Sequence, residues 1–309
     1  MDLSVFDRDN LAAWCFVPYD SVERNPVQRA EMLNRLGLTK AVWDWRPEHV
    51  PAYGAHLEAF AQHGIELTGL WAPHVLPTEG DGGEGTIQPD LRELIEESAA
   101  RDLKPQLWAC LEFGPPGPAN PLAAQTQRAM VDRVADHLAP LAELARAHGM
   151  TVALYNHLGW FGEPANQLAV LEHLAKGGLA NIGLAYQQHH GHAHTAQFKS
   201  LLATMAPHLV ALGLNGMVRD PAGGTRKIHP LGHGELDLGL ARIIAESGWH
   251  GTVTVLCHTM DDAEQRLLDN LEGLAWMVDT LSAESTDPSG EPVPTGPPAP
   301  RIPEPVWPH

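Results

Sequence analysis

Short unbroken apolar runs alternate along the chain with longer segments whose apolar residues recur every three or four positions. The short runs are LAAWCF (11–16), KAVWDW (40–45), IELTGLW (65–71), PQLWACLE (105–112), MTVALYN (150–156), NIGLAYQ (181–187), HLVALGLN (208–215) and GTVTVLCH (251–258). Each is rich in β-branched or aromatic residues and too short for a stable helix, so each predicts a strand. The longer segments predict helices. PVQRAEMLNRLG opens with Pro26 in a first turn and closes on Gly37, as helix boundaries do. Six further segments follow, over 47–64, 89–102, 125–148, 163–178, 195–206 and 236–248, and a last one runs over 262–281. In that last segment Leu267, Leu268, Leu271, Leu274 and Met277 form one apolar face, the pattern of a helix lying on a sheet.

Eight strand-then-helix units with no interrupting domain predict an α/β fold, a closed (β/α)8 TIM barrel over residues 8–282. An open doubly wound sheet would announce a Gly-rich phosphate turn after an early strand, and none is present. Residues 283–309 form a separate proline-rich tail without periodicity, expected to be disordered or extended. Trp307 is the one tail residue suited to docking on a surface.

Charge narrows the partners. The 309 residues carry 38 acidic and 20 basic side chains, a formal net charge of -18. Such a surface repels phosphate backbones and anionic lipid, which argues against nucleic-acid or membrane partners. No run reaches the roughly 18 apolar residues of a membrane span. The first residues, MDLSVFDRDN, lack the basic and apolar parts of a secretory signal. Cys15, Cys110 and Cys257 lie far apart in apolar runs, as buried reduced thiols of a cytoplasmic protein do. Oligomeric state stays open between a monomer and a homodimer across long rim loops.

In a parallel barrel the carboxyl ends of all strands share one rim, where active sites are built. The residues just past the apolar runs are therefore the candidates. They include Pro18, Tyr19, Asp20, Asp44, Arg46, His49, His74, Glu112, Asn156, His157, Trp160, Gln187, His189, His190, His192, His194, Asn215 and His258, with His229, His233 and Glu235 in the seventh loop. Imidazoles, amides, acids and indoles on one rim point to a polar small-molecule site. Trp14, Trp43, Trp45, Trp71, Trp108 and Trp160 lie in or beside strands, and flat indoles suit the apolar faces of sugar rings, with core packing as the alternative. Asp44 and Arg46 share a strand face if the strand runs that far, either as a structural ion pair or with Asp44 orienting Arg46 toward an anionic or hydroxyl oxygen. In GHGELD, Glu235 is assigned to the pocket and Asp237 to capping the next helix. His56, His63, His148 and His173 fall in helices and are expected at the surface.

With Asn156-His157 closing strand five, HHGH after strand six and GHGELD after strand seven, the chain resembles the xylose isomerase-like TIM barrels, in a bacterial branch carrying YNH-x-GWFGEP. This superfamily of sugar isomerases and epimerases also includes zinc-dependent apurinic endonucleases. The resemblance implies a divalent metal held by Glu, Asp, His and Glu at strands five to eight. The sequence departs from that set, with Tyr155 or Asn156, Gln187, Gly213 and Asn215, and Cys257 and His258 at those strand ends. His157, His190 and His258, with Glu235 as fourth ligand, would instead suit one transition ion such as Zn, Co, Fe or Mn; a metal-free site is the slightly favoured alternative.

The function implied is an enzyme acting on a sugar or keto-sugar by proton transfer beside a carbonyl, an isomerase, epimerase or related lyase or hydratase. Glu112 or Glu235 would be the base and His157 or His190 the acid. Trp14, Asp44, Arg46, Asn156, Trp160, Gln187 and Asn215 would bind the carbohydrate. The alternative is a non-catalytic carbohydrate-binding barrel whose metal site has decayed.

Overall fold

A computed structural model of the chain describes residues 1–74, 87–111, 122–157, 159–219, 221, 227–286 and 296–306, without the side chains of residues 285 and 286. Its eight strands are β1 (Leu11–Trp14), β2 (Lys40–Trp43), β3 (Glu66–His74), β4 (Gln106–Leu111), β5 (Val152–Tyr155), β6 (Ile182–Gln187), β7 (Leu209–Leu214) and β8 (Thr252–Leu256). They pair in sequence order, all parallel, and close as β8 meets β1 with Ala12 opposite Thr254 and Trp14 opposite Leu256. The intervening helices are α1 (Pro26–Arg35), α2 (Tyr53–Gln62), α3 (Pro89–Ala100), α4 (Ala124–Ala147), α5 (Pro164–Lys176), α6 (Phe198–Met205), α7 (Asp237–Glu246) and α8 (Ala263–Thr286). This is the (β/α)8 barrel that the alternation predicts.

Period-two alternation along each strand sorts side chains into two cores. Inward positions such as Ala12, Trp14, Val42, Trp108, Tyr155, Ala185, Ala211 and Leu256 fill the barrel. Outward positions such as Ala13, Trp43, Leu154 and Leu212 pack with Phe60, Leu138, Leu202 and Leu267 in the layer beneath the helices. Trp43 and Trp45 belong to this outer layer, with Trp43 tilted against Tyr53 at 4.5 Å.

Local chemistry sets several boundaries. Asn25 caps α1 by accepting from Gln28 N at 3.0 Å, and the Gln28 side chain returns the bond. The segment expected as one helix over 47–64 is a 3-10 helix over Pro47–Ala52 running into α2, because Pro51 has no N–H to continue an α-helical ladder. Strand β1 stops at Trp14 since Cys15 adopts φ 61, a left-handed conformation costly for a residue with a Cβ.

Helix α8 extends past 282, the boundary expected for the barrel, to Thr286. Residues 296–306 form neither helix nor strand, as their proline content predicts, yet they lie along the barrel. Arg301 donates to both Glu272 carboxylate oxygens at 2.7 Å and to Asp269 at 3.0 Å, Ile302 N donates to Asp269 at 3.1 Å, and Met260 N donates to Val306 O at 2.6 Å. Trp307 lies outside the described residues.

Candidate active site at the barrel mouth

Strands β1 to β6 and β8 bring one connected group of side chains to the mouth. Its floor is aromatic. Trp14 lies 4.8 Å from Trp108 and 5.7 Å from Trp71 between ring centroids, and Tyr155 stands edge-on to Trp71 at 4.8 Å. These side chains converge because inward positions on neighbouring strands share a level in the barrel.

Above the floor lie imidazoles. The His157 and His190 rings meet at 4.4 Å, His190 contacts His189 at 3.8 Å, and His189 lies 6.3 Å from His258. His258 stacks on Tyr19 at 4.3 Å and turns Nδ1 toward Cys15 Sγ, 3.9 Å away. Burial pushes the basicity of His189, His190 and His258 below the ordinary imidazole range, His258 to about 4, and the nearby Lys227 ammonium acts in the same direction on all three. These imidazoles are neutral near pH 7, so each ring carries one N–H donor and one acceptor nitrogen.

Beside Cys15, Asp44 is buried, with Oδ1 accepting from Val17 N at 3.5 Å and Oδ2 without a hydrogen-bond partner. Desolvation raises its carboxyl to about 7, against the lowering influence of Arg46. Cys15 adjoins Asp44, and burial followed by the Asp44 charge raises its thiol well above the usual range. All three cysteines are buried, outside any disulfide. The expected Asp44–Arg46 partnership takes a different form. The Arg46 guanidinium donates to Trp45 O at 2.7 Å and to the Tyr19 hydroxyl at 2.6 Å. No salt bridge joins it to Asp44.

The other candidates separate. Asn156 is turned sideways, accepting from Gln187 N at 2.6 Å and donating to Gln187 O at 3.2 Å, and so ties β5 to β6. Gln187 is buried, with Nε2 3.5 Å from Thr254 Oγ1 and Oε1 unpartnered. It folds into space that only a glycine at 213 leaves, since a Cβ there would collide with its amide. Asn215 donates to Gly216 O at 2.8 Å and Lys227 O at 3.3 Å, fixing the loop after β7. Trp160 is buried away from the mouth, donating to Gln127 of α4 at 2.9 Å. Glu235 is turned outward; it accepts from Arg219 N at 2.7 Å, with a side chain 54% exposed. His194 joins Glu163 at 3.0 Å, and His233 meets Pro298 O at 3.0 Å. Glu112 lies outside the described residues.

Two structural assignments change. Asp237 begins α7 without capping it; its carboxylate accepts instead from Met217 N at 2.6 Å, Gly232 N at 2.8 Å and Gly234 N at 2.9 Å, gathering the seventh loop. His56, expected at the surface, is 1% exposed, its ring bonded to Ala52 O at 2.9 Å and Arg29 Nη1 at 3.2 Å. Helical position alone does not report that α2 packs this residue between Trp43 and Phe60.

Sequence reasoning assigned no site role to Cys15, Tyr19 or Lys227. Tyr19 follows the first apolar run, and the strand-end rule places it on the rim without giving it a role. Lys227 needs the fold, because contacts such as the Asn215 bond and the Gly216–His229 bridge, which no sequence spacing announces, hold that stretch of loop.

A metal of the kind implied by the resemblance does not fit these donors. Among the described residues no group of three or more His, Cys, Asp or Glu side chains could hold a metal ion. His258 is turned to Tyr19 and Cys15, and Glu235 to Arg219.

The family model of the xylose isomerase-like TIM barrel matches residues 56–279. No curated protein matches the chain by sequence. Similar solved structures include the 3-keto-D-glucoside 4-epimerase YcjR from E. coli, 13% identical, with a TM-score of 0.63 over 87% of this chain and 98% of that one. The IOLI protein with a bound zinc atom gives 16% identity and a TM-score of 0.65 over 88% and 98%. The D-psicose 3-epimerase of Clostridium cellulolyticum H10, solved with D-tagatose, gives 12% and 0.56 over 88% and 97%.

Proposed function

Because the chain belongs to the xylose isomerase-like TIM barrel family, we propose that it is a cytoplasmic enzyme moving a proton beside the carbonyl of a sugar or keto-sugar, as an isomerase or epimerase. The observation that carries this reading is that one mouth holds imidazoles kept neutral by burial, those of His189, His190 and His258, together with a buried carboxyl, Asp44, raised to about 7. The epimerases among the similar structures support the same reaction class.

Removing a proton beside a carbonyl needs a base with a pKa near the working pH and donors for the oxygen that becomes negative. Asp44 is the base in this proposal: its pKa is raised to about 7 and its Oδ2 has no partner. His190, kept neutral by burial, and His157 beside it donate N–H groups to the enediolate oxygen. Proton return to the neighbouring carbon gives isomerisation, and return to the opposite face of the same carbon gives epimerisation. Trp71, half-buried above Trp14 and Tyr155, offers a platform for the apolar face of the ring.

The test is deuterium uptake from D2O into a panel of keto-sugars and 3-keto-glycosides, followed by NMR. Exchange at a carbon beside the carbonyl is expected, reduced about 100-fold or more in Asp44→Asn. Binding of the panel without exchange would instead establish a non-catalytic carbohydrate-binding barrel.

A further inference from the structure

Two rim motifs, GWFGEP after β5 and HHGHAH after β6, meet at one buried side chain. His194 is 5% exposed. Its Nε2 lies 3.0 Å from Glu163 Oε2, and its Nδ1 lies 3.2 Å from the Tyr186 hydroxyl. A carboxylate only accepts, so Nε2 carries the N–H donated to Glu163; in the tautomer this selects, Nδ1 accepts from Tyr186. Tyr186 is itself buried near the end of β6, in the layer beneath the helices, where its ring packs 6.0 Å from that of Phe198.

The loop after β6 is wound onto this anchor in short turns. Gly191 N donates to Gln188 O at 2.7 Å, His194 N to Gly191 O at 2.9 Å, and Thr195 Oγ1 to His192 O at 3.1 Å. His192 Nδ1 lies 3.2 Å from His189 O. A glycine is needed at 191, because a Cβ there would collide with the Tyr186 hydroxyl. These turns carry His189 and His190, whose rings meet at 3.8 Å, and His190 in turn meets His157 at 4.4 Å. His157 and Glu163 both follow β5. The line from Tyr186 through His194 to Glu163 therefore ties the loop bearing His157 to the loop bearing His189 and His190. Reacting side chains keep their geometry through the packing and hydrogen bonds behind them, and a displacement of about 1 Å can cost about 100-fold in rate.

We propose that Glu163, His194 and Tyr186 are positioning residues, which set the placement of His190 against His157 for the proton transfer. This inference rests on the reaction proposed above and adds to it the groups that aim its imidazoles.

Two measurements on the full-length protein test this. The first is the deuterium-exchange assay on Glu163→Ala, Glu163→Gln and Tyr186→Phe. Glu163→Ala is expected to lower kcat about 10- to 100-fold with KM within about threefold of wild type. Glu163→Gln, whose Oε1 can accept the same N–H, should recover most of that loss, and Tyr186→Phe should lower kcat in the same sense. The second measurement is NMR of the imidazole nitrogens in 15N-histidine-labelled protein, with His189 and His190 identified from their Gln variants. Their signals are expected to shift in Glu163→Ala while those of His56, on α2, stay in place. Unmoved His189 and His190 signals, or a kcat within about twofold of wild type, overturn the inference and leave the proposed reaction standing. If the wild-type protein exchanges no sugar of the panel, the proposed reaction falls and the ring signals alone decide the positioning. Should His56 shift as well, Glu163→Ala has disturbed the whole fold, and Tyr186→Phe decides by the same two criteria.

Discussion

Replacing Asp237 with alanine would remove the side chain that gathers the seventh loop. Its carboxylate accepts three backbone N–H groups, from Met217, Gly232 and Gly234, and the side chain is buried. A neutral hydrogen bond contributes about 1 kcal/mol net and one to a charged group roughly 1.5–3, while a buried N–H left alone costs about 1–3. Three such groups give a ceiling of about 9 kcal/mol. Partial collapse of the loop and entry of water bring the expected loss to about 3–5 kcal/mol. Asp237→Asn should recover only part of this, because its NH2 must face at least one N–H donor. Urea unfolding would measure the loss, and amide exchange at Met217, Gly232 and Gly234 would localise it. A loss below about 1 kcal/mol with unchanged protection at those amides would refute the reasoning, since it would mean that the loop holds its shape without the carboxylate.

Burial lowers the His56 imidazole from 6.5 to about 4. The unfolded chain therefore takes up a proton at higher pH than the folded one, and the stability tied to neutral His56 is present above 6.5 and lost as pH falls toward 4. The stability difference between wild type and His56→Gln should shrink by up to roughly 3 kcal/mol across that window, and a flat difference between pH 7 and 4 in chemical unfolding would count against it. Gly273→Ala should cost about 2–3 kcal/mol, because its methyl meets the Leu231 carbonyl, while Gly239→Ala, with nothing within 4 Å, should be stabilising; equal unfolding midpoints for the two variants would contradict this.

The barrel was legible because each strand is a continuous apolar run whose neighbours are helices with one apolar face. The shared mouth was legible for the same reason: once the strands are parallel, their carboxyl ends have one address. Which side each rim residue faces was harder. At the end of β5, Tyr155 and His157 contact the other mouth rings, while Asn156 between them turns to the backbone of β6. Alternation carries that information for only a residue or two past a strand. It fails for Trp160, whose indole is captured by Gln127 of a helix distant in sequence. Glu235 and Asp237 share a motif, yet one is exposed and the other buried. The left-handed turn at Cys15 left no trace either, since glycine is the usual marker of such a backbone and the residue there is a cysteine.

The first and last described segments sit at opposite poles of the barrel. Asp2 N donates to Ala245 O near the end of α7, and Asn10 reaches Gly251 O just before β8, both at the pole away from the mouth. Val306, by contrast, bonds to Met260 and Asp261, a few residues past His258. A partner joined at Val306 would therefore begin beside the mouth, whereas one joined at Asp2 would project from the far pole. Crystallisation, surface immobilisation and ligand titration are best carried out with a handle at Asp2, and a protein held through Val306 should show restricted access to its own mouth.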